Sequence, residues 1–311
     1  MKSSPLDTLA SAGHLVAHTT LIVWHLTIYR TMTIQRLSIL GVGLLGGSIG
    51  LAVKAITKSC HIVGYGHRPE TLEAAQRMGA IDENTGDPTR AVQDSELVIL
   101  CTPVSVITEL LKQIGSSCKP GTILTDVGST KRTIVKIGEQ LLPAGVHFVG
   151  SHPMAGSEKR GIEHARADLY RGALCITTPA PKTNSGALGQ VESFWQELGM
   201  RVTRLAPDDH DRLLADVSHL PHALAAALVA MQPDQALPLA GKGFLDVTRI
   251  AGGDGGLWRD IFLDNSDSLR DSIRRLRLQL DRLESMLSPA QSEALRRWLD
   301  AAAQKRGQAD A

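Results

Sequence analysis

A single histidine, His152, stands in the run Val149-Gly150-Ser151-His152-Pro153-Met154-Ala155-Gly156-Ser157-Glu158-Lys159, and its setting suits proton chemistry. Imidazole changes charge close to neutral pH, and dense glycine and proline punctuation restricts where a ring can point. The pattern predicts a turn directly after a short apolar strand, Val146 to Val149, with His152 displayed in that turn. A His-Pro turn that merely caps a strand has the same local signature, so the surrounding elements must decide. A second group is Arg249, in Phe244-Leu245-Asp246-Val247-Thr248-Arg249-Ile250-Ala251. A guanidinium is built for bidentate capture of a carboxylate, and a surface ion pair with Asp246 is the plain alternative. His219 and His222, three apart at the start of an apolar helix running from Leu220 to Met231, can share one face. No His-Glu-x-x-His motif or cysteine partner accompanies them, so a metal site is not expected.

The elements that must position these groups begin with a strand, Arg36 to Leu40, followed by Gly41-Val42-Gly43-Leu44-Leu45-Gly46 and an apolar helix through Val53 and Ile56. This is G-x-G-x-x-G at a strand-to-helix turn. Gly41 permits the tight turn, Gly43 lets backbone N–H groups reach a pyrophosphate, and Gly46 lets helix and strand pack closely. Strand and helix patterns then alternate: His61 to Tyr65, Pro69 to Met78, Leu97 to Cys101, a helix from Val104, and Thr122 to Thr125. Repeated β-α-β units predict an α/β fold with a Rossmann-type, doubly wound parallel sheet. Its ligand belongs at the strand carboxyl ends, which places Cys101-Thr102-Pro103 and Asp126-Val127-Gly128-Ser129-Thr130-Lys131 beside a nicotinamide. The second strand ends in Gly64-Tyr65-Gly66-His67-Arg68 with no carboxylate for a ribose hydroxyl. The absence leans towards NADP over NAD, although pockets without the acid also take both, and Arg68 as a solvated helix start fits the same sequence.

From Pro207 onward strand patterns stop, and Leu269, Ile273, Leu276, Leu280, Leu283 and Leu287 form a helical stripe. The expected organisation is an N-terminal extension over 1–32, a dinucleotide-binding domain over 33–205, a helical substrate and dimerisation domain over 206–305, and a tail over 306–311. Segment 1–32 carries an apolar stretch interrupted by His25 that is too short to span a bilayer and has no convincing cleavage site, so a peripheral arm or an over-extended reading frame is expected. With 33 Lys and Arg against 32 Asp and Glu, the net charge of +1 gives no electrostatic case for nucleic acid or an anionic membrane. Four scattered cysteines, Cys60, Cys101, Cys118 and Cys175, fit a reduced, cytoplasmic protein.

Taken in order, the glycine turn, Asp126 to Lys131, His152 to Glu158, Ser218-His219-Leu220-Pro221-His222 and Thr248 to Ala251 resemble the prephenate/arogenate dehydrogenase family of tyrosine biosynthesis, over roughly residues 33–290. The resemblance implies a Rossmann-type domain followed by an all-helical domain that pairs two subunits. It also implies NAD(P)-dependent oxidative decarboxylation of prephenate or arogenate. In that scheme His152 and Ser129 are catalytic, contacting the ring hydroxyl, and Arg249, His222, Ser218 and Trp258 meet the substrate. Glu158, Asp211 and Asp246 form an ionic network that gates the site and positions Arg249, with His219 behind. Gly41, Gly43, Leu44, Leu45, Gly46, His67, Arg68, Cys101, Thr102 and Pro103 hold the cofactor. The chain beyond residue 290 is too short for a fused regulatory or mutase module. A β-hydroxyacid dehydrogenase or imine reductase shares a Rossmann domain plus a helical domain but relies on a lysine or aspartate in the helical half, and a nonenzymatic NADP sensor that kept the fold would not need Ser129, His152, His222 and Arg249 together.

Overall fold

The computed structural model describes residues 33–155 and 159–308; the predicted N-terminal extension, Glu158 and the last three residues of the predicted tail lie outside them. The first half runs β1 (Arg36–Leu40), α1 (Leu44–Ile56), β2 (His61–Tyr65), α2 (Pro69–Arg77), β3 (Glu83–Thr85), α3 (Pro88–Ala91), β4 (Leu97–Leu100), α4 (Val104–Ile114), β5 (Ile123–Asp126) and α5 (Arg132–Leu141). It continues through β6 (His147–Pro153), β7 (Leu174–Thr178), α6 (Ser185–Glu197) and β8 (Arg201–Arg204). One eight-stranded sheet forms in the order β3-β2-β1-β4-β5-β6-β7-β8. The first six strands are parallel, as the alternating pattern requires, and β7 turns antiparallel against β6 while pairing parallel with β8.

Strand residues buried on both sides explain the continuous apolar runs. Leu37, Ile39, Ile62 and Ile99 pack under α1 and α6 on one face, whereas Leu40, Val98, Leu100, Leu124 and Phe148 pack under α4 and α5 on the other. The sequence did not point to β3, whose Glu-Asn-Thr carries no apolar signal, nor to β7. The second omission matters. Because β7 supplies Gly150↔Thr178, Ser151↔Thr177, His152↔Ile176 and Pro153↔Cys175 pairings, β6 continues four residues past the apolar run. His152 therefore lies in a strand and not in the predicted turn, and Pro153 sits at its end, where a missing N–H is tolerated.

The second half is helical: α7 (Pro207–Leu214), a π-helical turn (Ala215–His219), α8 (Leu220–Ala230), α9 (Lys242–Thr248), α10 (Gly255–Asp264), α11 (Ser266–Ser285) and α12 (Ser292–Gly307). The run Pro207–Ala230 is, by length and composition, apolar enough to cross a membrane. Of the predicted stripe, Leu269 is buried, but Ile273, Leu280 and Leu287 are exposed, so in the single chain α11 covers only part of that face.

At the first turn Gly41 adopts φ +106°, and a Cβ on Gly46 would collide with the Gly41 carbonyl oxygen and stand 2.8 Å from Ile39 Cγ2. Helix α1 can approach β1 only because that atom is missing. Gly46→Ala is expected to destabilise the protein by about 1–3 kcal/mol through overpacking and to weaken cofactor binding at the displaced turn. Thermal melts and a dinucleotide titration of the variant would show both effects.

Candidate active site

Strand β6 carries His152 beyond the end of β5 to a point where α5 and α7 converge. His152, 8% exposed, shares a hydrogen bond of 2.9 Å between its Nδ1 and Nε2 of His210. His210 in turn donates from Nδ1 to Asp211 Oδ1 at 2.8 Å. Asp211 also accepts the backbone N–H groups of Lys131 at 2.7 Å and Arg132 at 2.9 Å, capping the start of α5 from another part of the fold. Negative charge suits that helix end. Lys131 is the N-cap of α5, without a side-chain cap of its own, and Ser129 lies two residues before it.

Lys131 is fully buried and paired with the equally buried Asp126. Its ammonium also donates to the Ser151 carbonyl at 2.9 Å, and Asp126 accepts from Ser151 N at 3.1 Å and Gly128 N at 2.8 Å. Both backbone polar groups of Ser151, the residue before His152, are thus tied to one ion pair. Hydrogen bonds from Thr125 Oγ1 and Trp195 Nε1 reach Ser151 Oγ and hold the same residue from β5 and α6.

Helix α8 and the π-helical turn before it supply the facing wall. His219 is 1% exposed, its Nδ1 lies 3.2 Å from Asn265 Nδ2, and it sits against the backbone of Ser129. Asn265 Nδ2 also donates to the Asp211 carbonyl at 2.7 Å. His222 stacks on Trp258 with ring centroids 3.4 Å apart, and Trp258 leans on Phe262 at 5.5 Å. The His222 Nδ1 is buried and has no hydrogen-bond partner among the described residues. Ser218 is half-buried in the π-helical turn.

The glycine turn fits a dinucleotide. Helix α1 has Gly43 as N-cap with no side-chain cap and no acid in its first turn, and nothing lies within 4 Å of where a Gly43 Cβ would point. Its free amides therefore face open space suited to a phosphate. Leu44 and Leu45 start the helix, half-buried. Across the turn, the Cys101 carbonyl stands 2.8 Å from the direction a Gly41 side chain would take, with Thr102 next to it and Pro103 capping α4. Thr102 Oγ1 is buried without a hydrogen-bond partner among the described residues, a donor in the loop where the sequence places the nicotinamide. His67 and Arg68 are exposed after β2, with Arg68 as the N-cap of α2.

Not every candidate converges on His152. Arg249 is exposed where α9 passes into the 3-10 turn Arg249–Gly252 that packs against α8, and Asp246 is exposed on α9. Asp211, predicted among the acids that position Arg249, is 1% exposed, and both of its carboxylate oxygens are occupied by Lys131, Arg132 and His210. Glu158 lies outside the described residues.

Residues 49–204 match the family model described as "Prephenate dehydrogenase, nucleotide-binding domain", and residues 206–301 match "Prephenate dehydrogenase, dimerization domain". The prephenate dehydrogenase of Bacillus subtilis is 34% identical over 269 residues, covering 84% of this chain and 72% of the relative. A crystal structure of prephenate dehydrogenase from Aquifex aeolicus, in complex with hydroxyphenyl propionate and NAD+, superposes with a TM-score of 0.84 at 33% identity, covering 90% of this chain and 99% of that one. The chain belongs to the prephenate dehydrogenase family. The Synechocystis arogenate dehydrogenase structure has a TM-score of 0.77 at 30% identity, covering 88% of this chain and 99% of that one.

Within this prephenate dehydrogenase family member, His210 and Asn265 are the site residues the sequence did not suggest. His210 sits in Pro207-Asp208-Asp209-His210-Asp211, which reads as a solvated, acid-rich first turn; only the packing of α7 on α5 and β7 turns it inward. Asn265 looks like a helix junction and gives no chemical signal of its own.

Burial is the leading cause that lowers all four histidines of the site. His152 is held well below its ordinary value, further depressed by His210, Lys131 and His219. His210 is lowered despite the opposing hydrogen bond to Asp211, and His219 and His222 are each lowered to about 4. Burial would raise Asp211, but hydrogen bonds from His210 and the Arg132 amide outweigh it and keep the carboxyl low. At neutral pH the site therefore holds neutral imidazoles and an ionised Asp211. An unfolded chain binds protons at these histidines near 6.5 while the native one does not, so stability rises with pH across the interval from about 4 to 6.5. The melting temperature is expected to fall steadily from pH 7 to pH 4.5, and His222→Gln should flatten part of that slope.

Proposed function

We propose that this protein catalyses the NAD(P)-dependent oxidative decarboxylation of prephenate to 4-hydroxyphenylpyruvate, with His152 as the proton acceptor. The observation that carries the reading is a neutral, buried imidazole at the carboxyl edge of a dinucleotide-binding sheet, in a chain of this family. The substrate holds a ring carbon bearing hydroxyl and hydrogen opposite a carbon bearing carboxylate. A bound nicotinamide, held by Gly41 to Gly46 and the Cys101-Thr102-Pro103 loop, supplies the hydride acceptor. As hydride departs, the hydroxyl oxygen becomes electron-poor and its proton shifts towards His152, which is neutral and able to take it. The carboxylate then leaves as carbon dioxide, its bonding pair closes the aromatic ring, and the proton returns to the phenolic oxygen. Aromatisation provides the driving force. Ser129, beside His219, orients the same hydroxyl, while His222 and Trp258 line the ring and Arg249 pairs with a substrate carboxylate.

The cofactor preference we assign leans towards NADP, because the residues after β2 carry no carboxylate and Arg68 is exposed there for a 2′-phosphate. The helical half pairs two copies in a homodimer. Val217, Met231, Leu239, Leu245, Val247 and Leu263 are all more than half exposed in the single chain, within the region matching the dimerisation model. That face also accounts for the apolarity of Pro207–Ala230, a helix that turns buried His210, Asp211 and His219 towards the site and therefore suits a subunit seam in the cytoplasm.

Three measurements test this reading. Absorbance at 340 nm with prephenate or arogenate, each against NAD and NADP, should rise with prephenate; turnover with arogenate alone would reassign the substrate, and none at all would sink the proposal. His152→Asn should lower kcat by at least about 100-fold with little change in cofactor affinity, whereas Arg249→Ala should mainly raise KM. Light scattering should give twice the 33.4 kDa chain mass.

A further inference from the structure

Resting on the assignment of His152 as proton acceptor, we infer that His210 and Asp211 form a relay that fixes the tautomer of His152, placing its proton on Nδ1 and leaving Nε2 as the lone pair offered to substrate. The direction of the relay is set at its far end. Asp211 accepts hydrogen bonds from two backbone N–H groups and is held in its ionised form, so it has only acceptor capacity left for His210. His210 must therefore carry its proton on Nδ1, the nitrogen 2.8 Å from Asp211 Oδ1. With His210 neutral, its Nε2 is an acceptor. The nitrogen 2.9 Å away, Nδ1 of His152, has to be the donor. A neutral His152 has then no proton on Nε2, on the far side of its ring. Each step follows from counting donors and acceptors, and the alternative tautomer would leave two lone pairs facing one another in a buried contact.

The relay also answers a difficulty in the electrostatics. Lys131 from α5, His210 from α7 and His219 from the π-helical turn all disfavour an imidazolium at His152, as does burial itself. Asp126 on β5 is neutralised by its pair with Lys131, and Cys175 on β7 faces the backbone of His152 with its thiol pushed up by burial. Among the described residues, Asp211 is the anion joined to His152 through hydrogen bonds, and positive charge arriving at Nε2 is stabilised through His210 without a proton leaving the chain. The Nδ1–H of His152 strengthens its bond to His210, and His210 strengthens its bond to Asp211. His210 and Asp211 are positioning residues, since neither is placed against substrate.

The deciding experiment is ¹⁵N–¹H correlation of the histidine side chains in the full-length, ¹⁵N-histidine-labelled protein, with His152 assigned by its absence in His152→Asn. The inference expects a protonated Nδ1 and an unprotonated, pyridine-like Nε2 in the wild type at pH 7.5. In His210→Phe, which offers no acceptor, the His152 signals should shift to a mixture of tautomers. The same variant should lose at least about tenfold in kcat with KM for prephenate within about twofold. His210→Gln, whose carbonyl oxygen can still accept from Nδ1, should recover most of the rate, which a general packing defect would not permit. A wild-type His152 protonated on Nε2, or a folded His210→Phe with unchanged kcat, overturns the relay. The wild-type spectrum decides even where a variant fails to fold. Failure of prephenate turnover in the wild type overturns the activity instead, and the spectrum still reads the tautomer.

Discussion

Asp211 brings three N–H donors onto one buried carboxylate, two from the start of α5 and one from His210, and the placement of His152 depends on that convergence. Removing the carboxylate would strand the first amides of α5 and free the ring behind His152 together, at roughly 1–3 kcal/mol for each buried group left unpaired. The same residue joins the two halves of the chain. Its side chain caps a helix of the sheet domain, its carbonyl accepts from Asn265, and it stands on α7, the first helix after the sheet.

The ring of contacts closes through Lys131. Its amide meets Asp211 while its ammonium meets Asp126 and the Ser151 carbonyl, immediately before His152. Burying an ion pair costs several kcal/mol per ion in lost hydration, and mutual attraction alone rarely offsets that. Here the remaining capacity of each ion is taken up by the backbone of Ser151 on β6 and of Gly128 just after β5, so the pair fixes the end of β6 and the loop beside it instead of merely stabilising the fold. A strand that carries a buried histidine past the last partner on one side needs such bracing; β7 supplies it on the other.

Pro221 shapes the opposite wall. Within a continuous helical run it cannot donate to the carbonyl four residues earlier, and the chain widens into a π-helical turn just before it. That local rearrangement sets Ser218 and His219 at the site while α8 continues beyond, with Val217 in the turn and Met231 just after α8 left exposed. One proline thus reconciles a polar inner face with an apolar outer one.

The α/β class, the glycine turn, the parallel sheet of the first half and the change to helices at Pro207 were legible in the sequence, because each rests on periodicity or on residues whose backbone freedom is intrinsic. His152 stood out for the same reason: it is chemically distinctive, and its neighbours are conformationally extreme. What the chain alone could not show was whatever depends on partners distant in sequence. The extension of β6 required β7, 21 residues beyond the end of β6, so a strand looked like a turn. His210 and Asp211 resembled a solvated helix start because acids in a first turn are ordinary, and only packing of α7 on α5, β7 and α11 buried them. Local sequence determines which backbone shapes and which chemical groups are available; the partners of His152 Nδ1, and so the direction in which its hydrogen bond runs, are decided by groups brought together from across the fold.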